Sequence, residues 1–379
     1  MANRKHISLI YQYNDNWIGG TYYILNILKV LNLLPQSIKP EITIFYNDKN
    51  SIAAVKQINY PHINYVQTRL DFNFAEKIIN KLYWILLGEV LIKIRLPGKR
   101  IENLYPASIY IDTSNIETFY YWIPDFQEHY LPDFFSKWEI TDRKKIHRLI
   151  KNSNQPVVFS SENALSDFND FYPKNFNKKK ILKFVSLIDK DFEKISIESL
   201  KSKFSIKKIY FIIPNQFWQH KNQFLVIKAT KILIDKGFNF QIVFTGKEYD
   251  HRNPDFILEI KKYVKSHHLE NHISFLGFID RNEQLQLMKN ALAIIQPSLF
   301  EGWSTVVEDA KSMGQFILLS DIPVHKEQIQ DNCLFFNPRD DNDLAIKMEK
   351  VLLEGRNIKQ LDYRQNVLNF SKELYNIFN

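Results

Sequence analysis

The sequence predicts an α/β protein built as two Rossmann-like, doubly wound domains facing a cleft, and three observations lead there. Its 379 residues exceed what one ordinary hydrophobic core organises, so two domains follow from length. A hydrophobic content of 45% with 24% charged residues is that of a soluble globular chain. In the second half, short apolar runs alternate with segments of helical period. Strand, helix, strand with short connections implies a parallel sheet covered on both faces, and the right-handed crossover rule makes it doubly wound.

Along the first half, "HISLIYQY" (6–13), "EITIFYN" (41–47), "INYVQT" (63–68) and "ASIYIDT" (107–113) read as strands, with a helix from about Thr21 to Leu34. "PVVFSS" (156–161) closes this domain, and the Lys-, Ser- and Asp-rich region 176–208 holds the linker. The first domain is placed at 1–190 and the second at 200–359. Strands of the second domain are expected at 209–214, 240–246, 273–278, 292–297, 316–321 and 333–337. Helices are expected at 221–237, 255–269, 281–291 and 306–314, and the last segment is an amphipathic helix.

Charge and cysteine use narrow the function classes. The net charge of +8 is scattered among acids, which fits a solvated surface or a modest attraction to phosphates and anionic lipid. Nucleic acid is not expected as a partner. The single Cys333 excludes an intramolecular disulfide and fits a reducing cytoplasm. The apolar run in "MANRKHISLIY" is too short for a signal peptide. In "IINKLYWILLGEVLIKIRLPGKR" (78–100), Glu89 interrupts an apolar core well short of the ~20 residues a spanning helix needs. Two readings stay open there: a buried core helix, or a basic amphipathic helix lying on anionic membrane.

Several motifs sit where strands give way to helices, which is where open α/β sheets bind ligands. "YNDNWIGGTYYILNIL" puts Gly19 and Gly20 between the first strand and its helix, either as a tight turn or as room for a ligand to approach the backbone. No GxGxxG dinucleotide fingerprint accompanies them. "IPNQFWQHKNQ" places Gln216, His220 and Lys221 at the start of a helix, where free amides and a cation can hold a diphosphate. The aromatic and acidic loop "FYYWIPDFQEHYLPDFFSKWE" (119–139) suits a sugar-binding wall, with Asp125, Glu128 and His129 as acceptor contacts. "PSLFEGWSTVVEDAKSMG" (297–314) offers a capping box from Thr305 to Glu308. That leaves Glu301 and Asp309 for hydroxyls of a sugar and a ribose. The run "RDDNDL" (339–344) reads as a loop into a helix, so no metal site is expected.

These stretches together resemble glycosyltransferase family 4, the retaining GT-B enzymes, and especially its bacterial polysaccharide and lipopolysaccharide members. "PSLFEGWSTVVEDAKSMG" resembles the family's E-x7-E region, and "NQFWQHKN" is similar to its phosphate-contact loop. "WIPDFQEHYLP", "FSSENALSDFNDFYP" and "LLSDIPVHKEQ" look like the same subgroup. The resemblance runs from about 13 to 337. It implies that Glu301 contacts donor-sugar hydroxyls and that Lys221 neutralises the diphosphate as the glycosidic bond breaks. Gly19, Gly20, Gln216, Gly246, Trp303, Ser304, Thr305, Glu308 and Asp309 would complete the donor site. The C-terminal helix, about 360–379, would pack back on the first domain.

Three positions depart from the family pattern. Its second Glu falls on Asp309, with Glu308 just before it. Gln216 stands where a basic residue is usual, and Glu128 replaces a His. The reading is therefore a retaining, metal-independent glycosyltransferase without cofactor. It would move a sugar from a nucleotide-diphosphate sugar to a glycan or lipid-linked acceptor in bacterial surface polysaccharide or lipopolysaccharide synthesis. It would work in the cytoplasm, peripherally at the inner face of the membrane. The rivals are a GT-B epimerase or phosphorylase, and a non-catalytic glycan-binding or scaffold subunit.

Overall fold

The computed structural model describes residues 4–13 and 18–378. Asn14 to Trp17 of the first glycine-bearing motif, and residues 1–3 of the reading at the chain start, lie outside them. In chain order the first elements are β1 (His6–Tyr11), α1 (Ile18–Asn32), β2 (Glu41–Tyr46), α2 (Ala53–Lys56), β3 (Ile63–Gln67) and α3 (Phe74–Leu87). Next come β4 (Ile94–Arg95), β5 (Leu104–Ala107), β6 (Ile111–Asp112), β7 (Phe119–Ile123), α4 (Gln127–Tyr130), α5 (Lys137–Asn152), β8 (Val157–Phe159), α6 (Glu162–Phe171) and β9 (Lys179–Ile181). The remainder is α7 (Ile197–Lys203), β10 (Tyr210–Pro214), α8 (Gln223–Asp235), β11 (Gln241–Thr245), α9 (Phe256–Ser266), β12 (Ile273–Phe275), α10 (Arg281–Asn290) and β13 (Ala293–Gln296). It ends with α11 (Thr305–Met313), β14 (Ile317–Ser320), α12 (Pro323–Gln328), β15 (Cys333–Phe336), α13 (Asp341–Glu354) and α14 (Arg364–Ile377).

The chain divides into two compact units. One comprises the residues up to Phe126, Lys137–Leu187 and those from Arg364 on; the other comprises Gln127–Ser136 and Ile188–Tyr363. The first unit carries a parallel sheet in the order β3-β2-β1-β5-β7-β8-β9. Chain order reverses between β1 and β5, so the carboxyl ends of those two strands flank the unit's switch point. Helix α14 packs on this unit: Lys5 Nζ donates to the Tyr375 carbonyl at 2.8 Å, and Phe378 sets its edge on Tyr105 and Tyr120.

The second unit carries a parallel sheet in the order β12-β11-β10-β13-β14-β15, with its switch point between β10 and β13. Alternate residues of each strand feed opposite layers. Phe211, Ile213, Ile242, Phe244 and Ile295 join one core, while Tyr210, Ile212, Val243, Ile294 and Ile317 join the other. Burial on both faces is why these strands read as continuous apolar runs.

Three readings of the first half are corrected. "ASIYIDT" is not a strand of the main sheet. Its place is taken by β5, whose segment contains Pro106, while Ile111–Asp112 pairs only with β4 in a separate two-stranded sheet. The aromatic stretch 119–123 is a sheet strand rather than loop, because its rings pack inward with Tyr121 and Ile123 buried. Gly19 and Gly20 lie inside the first turn of α1 rather than in a turn before it. The passage from the first unit to the second, at Leu187–Ile188, falls inside the expected 176–208 region, which also carries β9, a 3-10 turn at Lys190–Lys194 and α7.

Segment 78–100 is not a buried core helix. Asn73 and Glu76 form a reciprocal capping box that starts α3, and Gly88 at φ 77° ends it. Asn80 and Trp84 are its only buried residues, and its long apolar side chains on the opposite face are exposed.

Candidate active site

Lys221 and Glu301 meet at the second unit's switch point. The loop after β10 closes in a 3-10 turn, Gln219–Lys221, and Asn222 then takes a left-handed conformation (φ 59°) before α8 begins. Asn222 Nδ2 holds that corner by donating to the carbonyls of Pro297 (3.0 Å) and Pro338 (2.8 Å). Lys221 therefore ends the turn before the helix. Its Nζ lies 2.6 Å from Glu301 Oε1, in the loop after β13, with side chains 19% and 9% exposed.

Glu301 is anchored through one oxygen. Ser298 Oγ (2.6 Å) and Gln296 Nε2 (2.8 Å) donate to the same Oε1. Gln296 is itself held by Asn215 Nδ2 at 2.7 Å and also reaches Ser304 Oγ at 3.2 Å. Oε2 makes no hydrogen bond among the described residues. A carboxylate fixed in this way is preorganised, since its rotamer is set before a ligand arrives.

The start of α11 supplies amides. Ser304, not Thr305, is the N-cap: it is extended, and its Oγ accepts from Val307 N at 3.5 Å. Its own amide donates to Gln328 Oε1 (3.1 Å), which does the work expected of Glu308 in a capping box. The amides of Thr305 and Val306 have no acceptor among the described residues. Open first-turn amides with the helix dipole behind them attract an anion.

The acidic pair has structural partners. Glu308, one position too late for the box, is 1% exposed. It accepts from Lys311 Nζ (2.8 Å), Gln328 Nε2 (2.9 Å) and the Tyr363 hydroxyl. Asp309, equally buried, takes the Arg281 guanidinium at 2.6 Å. Arg281 also donates to Gln284 Oε1 (3.0 Å), and Gln284 donates to Thr245 Oγ1 (2.8 Å) at the end of β11. The view that Asp309 lacks a structural task is thus overturned by Arg281, a residue the sequence reading missed.

Two buried histidines flank the pair. Burial pushes His325 down to about 4, with the Glu301 carboxylate acting against it and Lys221 with it. Its Nδ1 donates to the Ser320 carbonyl at 3.0 Å, so Nε2 is the unprotonated nitrogen. His220 is also held well below the ordinary range by burial, then by Lys221 and Arg252.

The remaining expected residues are distributed as follows. Gly246 (φ 122°) has no room for a side chain: a Cβ would stand 2.5 Å from the Asn215 carbonyl oxygen. The Gln216 carbonyl accepts from Gln223 Nε2 at 2.7 Å, tying the loop to α8. Trp303 precedes the cap residue. Asp125 belongs to the first unit, two residues beyond β7. Glu128 and His129 lie on α4 in the second unit, 3.8 Å apart. There Tyr130 stacks on Phe300, the neighbour of Glu301, at 5.3 Å between centroids. The "RDDNDL" carboxylates cap a helix: Asp340 accepts from the amides of Asn342 and Asp343. No cluster of three metal-ligating side chains occurs among the described residues.

At its own switch point the first unit carries a cavity of about 690 Å³ that opens to solvent. Gly20, but not Gly19, contributes to its wall, beside Trp84, Trp122, Trp138 and Tyr110. Asp125 does not line it.

Residues 196–369 match the family model described as "Glycosyl transferases group 1". The chain is similar to the O-antigen chain mannosyltransferase RfbU of Salmonella typhimurium, 31% identical over 157 residues, 40% of this chain and 42% of that protein. It is also similar to Protein CapJ of Staphylococcus aureus, 29% identical over 172 residues, 44% of this chain and 40% of the other. The chain thus matches about two fifths of the length of these relatives. Among solved structures, Anabaena Alr3699/HepE in complex with UDP and glucose superposes with a TM-score of 0.63 at 14% identity, covering 99% of this chain and 95% of that one. The lipopolysaccharide outer core galactosyltransferase WaaB gives 0.58 at 15% identity, covering 98% of each. At such identities the likeness is one of fold. Residues 196–369 thus resemble a glycosyl transferases group 1 domain, and the chain has the fold of these structures, the two Rossmann-like units of GT-B.

Proposed function

We propose that the protein is a retaining, metal-independent glycosyltransferase of family 4. It transfers a hexose from a nucleotide-diphosphate sugar to a glycan or lipid-linked acceptor in bacterial surface polysaccharide or lipopolysaccharide synthesis. The observation that carries this reading is the convergence of Lys221, a one-side-anchored Glu301 and the open amides of Thr305 and Val306 at one switch point. A diphosphate needs positive charge and donors; a sugar needs a fixed acceptor for its hydroxyls. All three lie beyond the carboxyl ends of the central strands β10 and β13.

In this reading the diphosphate lies against the start of α11, with Lys221 Nζ on a phosphate oxygen and Glu301 Oε2 on a donor-sugar hydroxyl. The acceptor hydroxyl attacks the anomeric carbon on the face from which the diphosphate departs. The bond from that carbon to the β-phosphate oxygen breaks, and a phosphate oxygen takes the acceptor proton. The chain contributes orientation and electrostatic stabilisation of the leaving group rather than a side-chain base. Asp309, beside Arg281, takes the ribose hydroxyls; Glu308, with both oxygens engaged, holds the helix.

The names of relatives support the donor class: a mannosyltransferase, a galactosyltransferase, and a structure holding UDP and glucose. The aromatic cavity of the first unit supports a sugar acceptor there, since rings pack well on pyranose faces. Peripheral membrane contact belongs to the same reading. Among the described residues no helix is long and apolar enough to cross a membrane. The test is release of nucleoside diphosphate from a panel of UDP, GDP and dTDP hexoses with lipid-linked and soluble glycan acceptors. Acceptor-dependent release from one donor supports the reading. Binding without release from any donor would return the chain to the glycan-binding alternative.

A further inference from the structure

Helix α3 is solvated the wrong way round. Asn80 and Trp84 are its buried residues, and Asn80 is fixed by two hydrogen bonds to the backbone of Ile92, at 2.9 and 2.8 Å. At 3.6 residues per turn, Phe74, Ile85, Ile78, Leu82, Leu86 and Ile79 fall within an arc of about 140° on the opposite side. Phe74 is 80% exposed, Leu82 56%, Ile85 53% and Leu86 77%. A surface helix normally turns polar groups outward, so a continuous outward apolar stripe marks an interaction surface.

The rim of the stripe is cationic. Lys81 borders it on the helix, Lys77 lies between Lys81 and the buried Trp84, and Lys93, Arg95 and Lys99 follow in the next segment, all exposed. None of these five forms a salt bridge among the described residues. Of the nearby acids, Glu76 is held by Arg69 and by the cap, and Glu117 pairs with Arg100; Asp112, beside Arg95 in the β4–β6 pairing, and the exposed Glu89 are outnumbered by the five cations. A second copy of the chain docking here about a two-fold axis would set this cationic rim against itself. An anionic bilayer answers both features, taking the apolar stripe at the headgroup boundary and the cations at its surface.

We propose that α3 docks the first unit on an anionic membrane, lying in the plane of the interface with the Phe74–Leu86 stripe inserted. The inward face of the same helix walls the 690 Å³ cavity through Asn80 and Trp84, with Lys77 and Lys81 at its border. A helix about 10 Å across therefore sets that cavity one helix diameter from the headgroups. This position suits an acceptor sugar carried on a lipid; that last step rests on the glycosyltransferase reading, whereas the docking does not.

The test is co-sedimentation of the full chain with phosphatidylcholine vesicles with and without phosphatidylglycerol, in the absence of donor and acceptor. The wild type should bind the anionic vesicles, lose binding in high salt, and bind neutral ones at least tenfold less. Leu82→Asp with Leu86→Asp should cut binding at least tenfold, and so should Lys93→Gln with Arg95→Gln and Lys99→Gln. The second variant leaves the stripe intact, so a folding defect in the first does not decide the matter; melting curves accompany both. Failure of the wild type to bind, or equal binding by wild type and both variants, would overturn docking. So would self-association dispersed by Leu82→Asp with Leu86→Asp in a protein that ignores vesicles. Donor turnover that persists without vesicle binding sinks this inference and spares the proposed reaction; vesicle binding without turnover does the reverse.

Discussion

Glu301 receives Lys221, Ser298 and Gln296 on one carboxylate oxygen, with the Lys221 ammonium at 2.6 Å. The pair spans the two loops that flank the switch point, so it is both a brace and the centre of the proposed donor site. Glu301→Gln should weaken this brace, because Lys221 loses its counter-charge in a largely buried place. The expected loss is about 1–3 kcal/mol of unfolding free energy. In a double-mutant cycle with Lys221→Met, the two losses should couple by more than ~0.5 kcal/mol. Additive losses would mean the contact contributes nothing to the fold.

The acidic pair of α11 should separate by function but not by stability. Glu308→Ala strands Lys311, Gln328 and Tyr363 in a buried site and should cost about 3–5 kcal/mol, while the donor KM stays near wild type in whatever remains folded. Asp309→Asn should raise the donor KM and also lower the melting temperature, because Arg281 loses its partner. Melting curves and donor titrations on both variants check this. A KM effect confined to Glu308 would shift the ribose ligand by one residue.

Much of this was legible in the sequence, and the exceptions have physical causes. Strands buried on both faces leave continuous apolar runs, so every strand of the second unit was found in its place. In the first unit β5 escaped because Pro106 interrupts it, while the more strand-like "ASIYIDT" beyond it makes only a two-residue pairing. The cap of α11 slipped by one because Ser304 and Thr305 are both good caps; Gln328, a distant residue, decides between them. Arg281 carries no local signal, since its partner Asp309 lies on another helix. The convergence of Lys221 and Glu301 rests on strand order, which a local pattern does not encode.

Stability should fall on mild acidification. His325, held at about 4 in the fold against an ordinary 6.5, stays neutral where the unfolded chain takes a proton. The unfolded state therefore binds more protons below pH 6.5, and stability drops as pH falls from there toward 4. The full shift amounts to about 3 kcal/mol. His220 is displaced in the same direction and adds to the slope. His325→Asn keeps a donor for the Ser320 carbonyl and should flatten the profile across this window. Chemical denaturation at stepped pH values measures it, and an unchanged slope would remove His325 as a cause.

Gly246→Ala should disturb the site from below. The added methyl would meet the Asn215 carbonyl at 2.5 Å, at a φ of 122° that side chains avoid. Overpacking and backbone strain together should cost more than ~2 kcal/mol. Asn215 holds Gln296, which holds Glu301, so the donor KM should rise with the loss of stability. Urea unfolding and a donor titration test the two effects separately.

The central claim is that the Lys221 ammonium stabilises a departing nucleoside diphosphate at the second unit's switch point. Its most direct measurement is the steady-state rate of nucleoside diphosphate release, with acceptor present and donor saturating, for the wild type and Lys221→Ala at equal folded concentration. The account predicts a fall of at least about tenfold, or ~1.4 kcal/mol of transition-state stabilisation. Equal rates from a folded Lys221→Ala protein would contradict it.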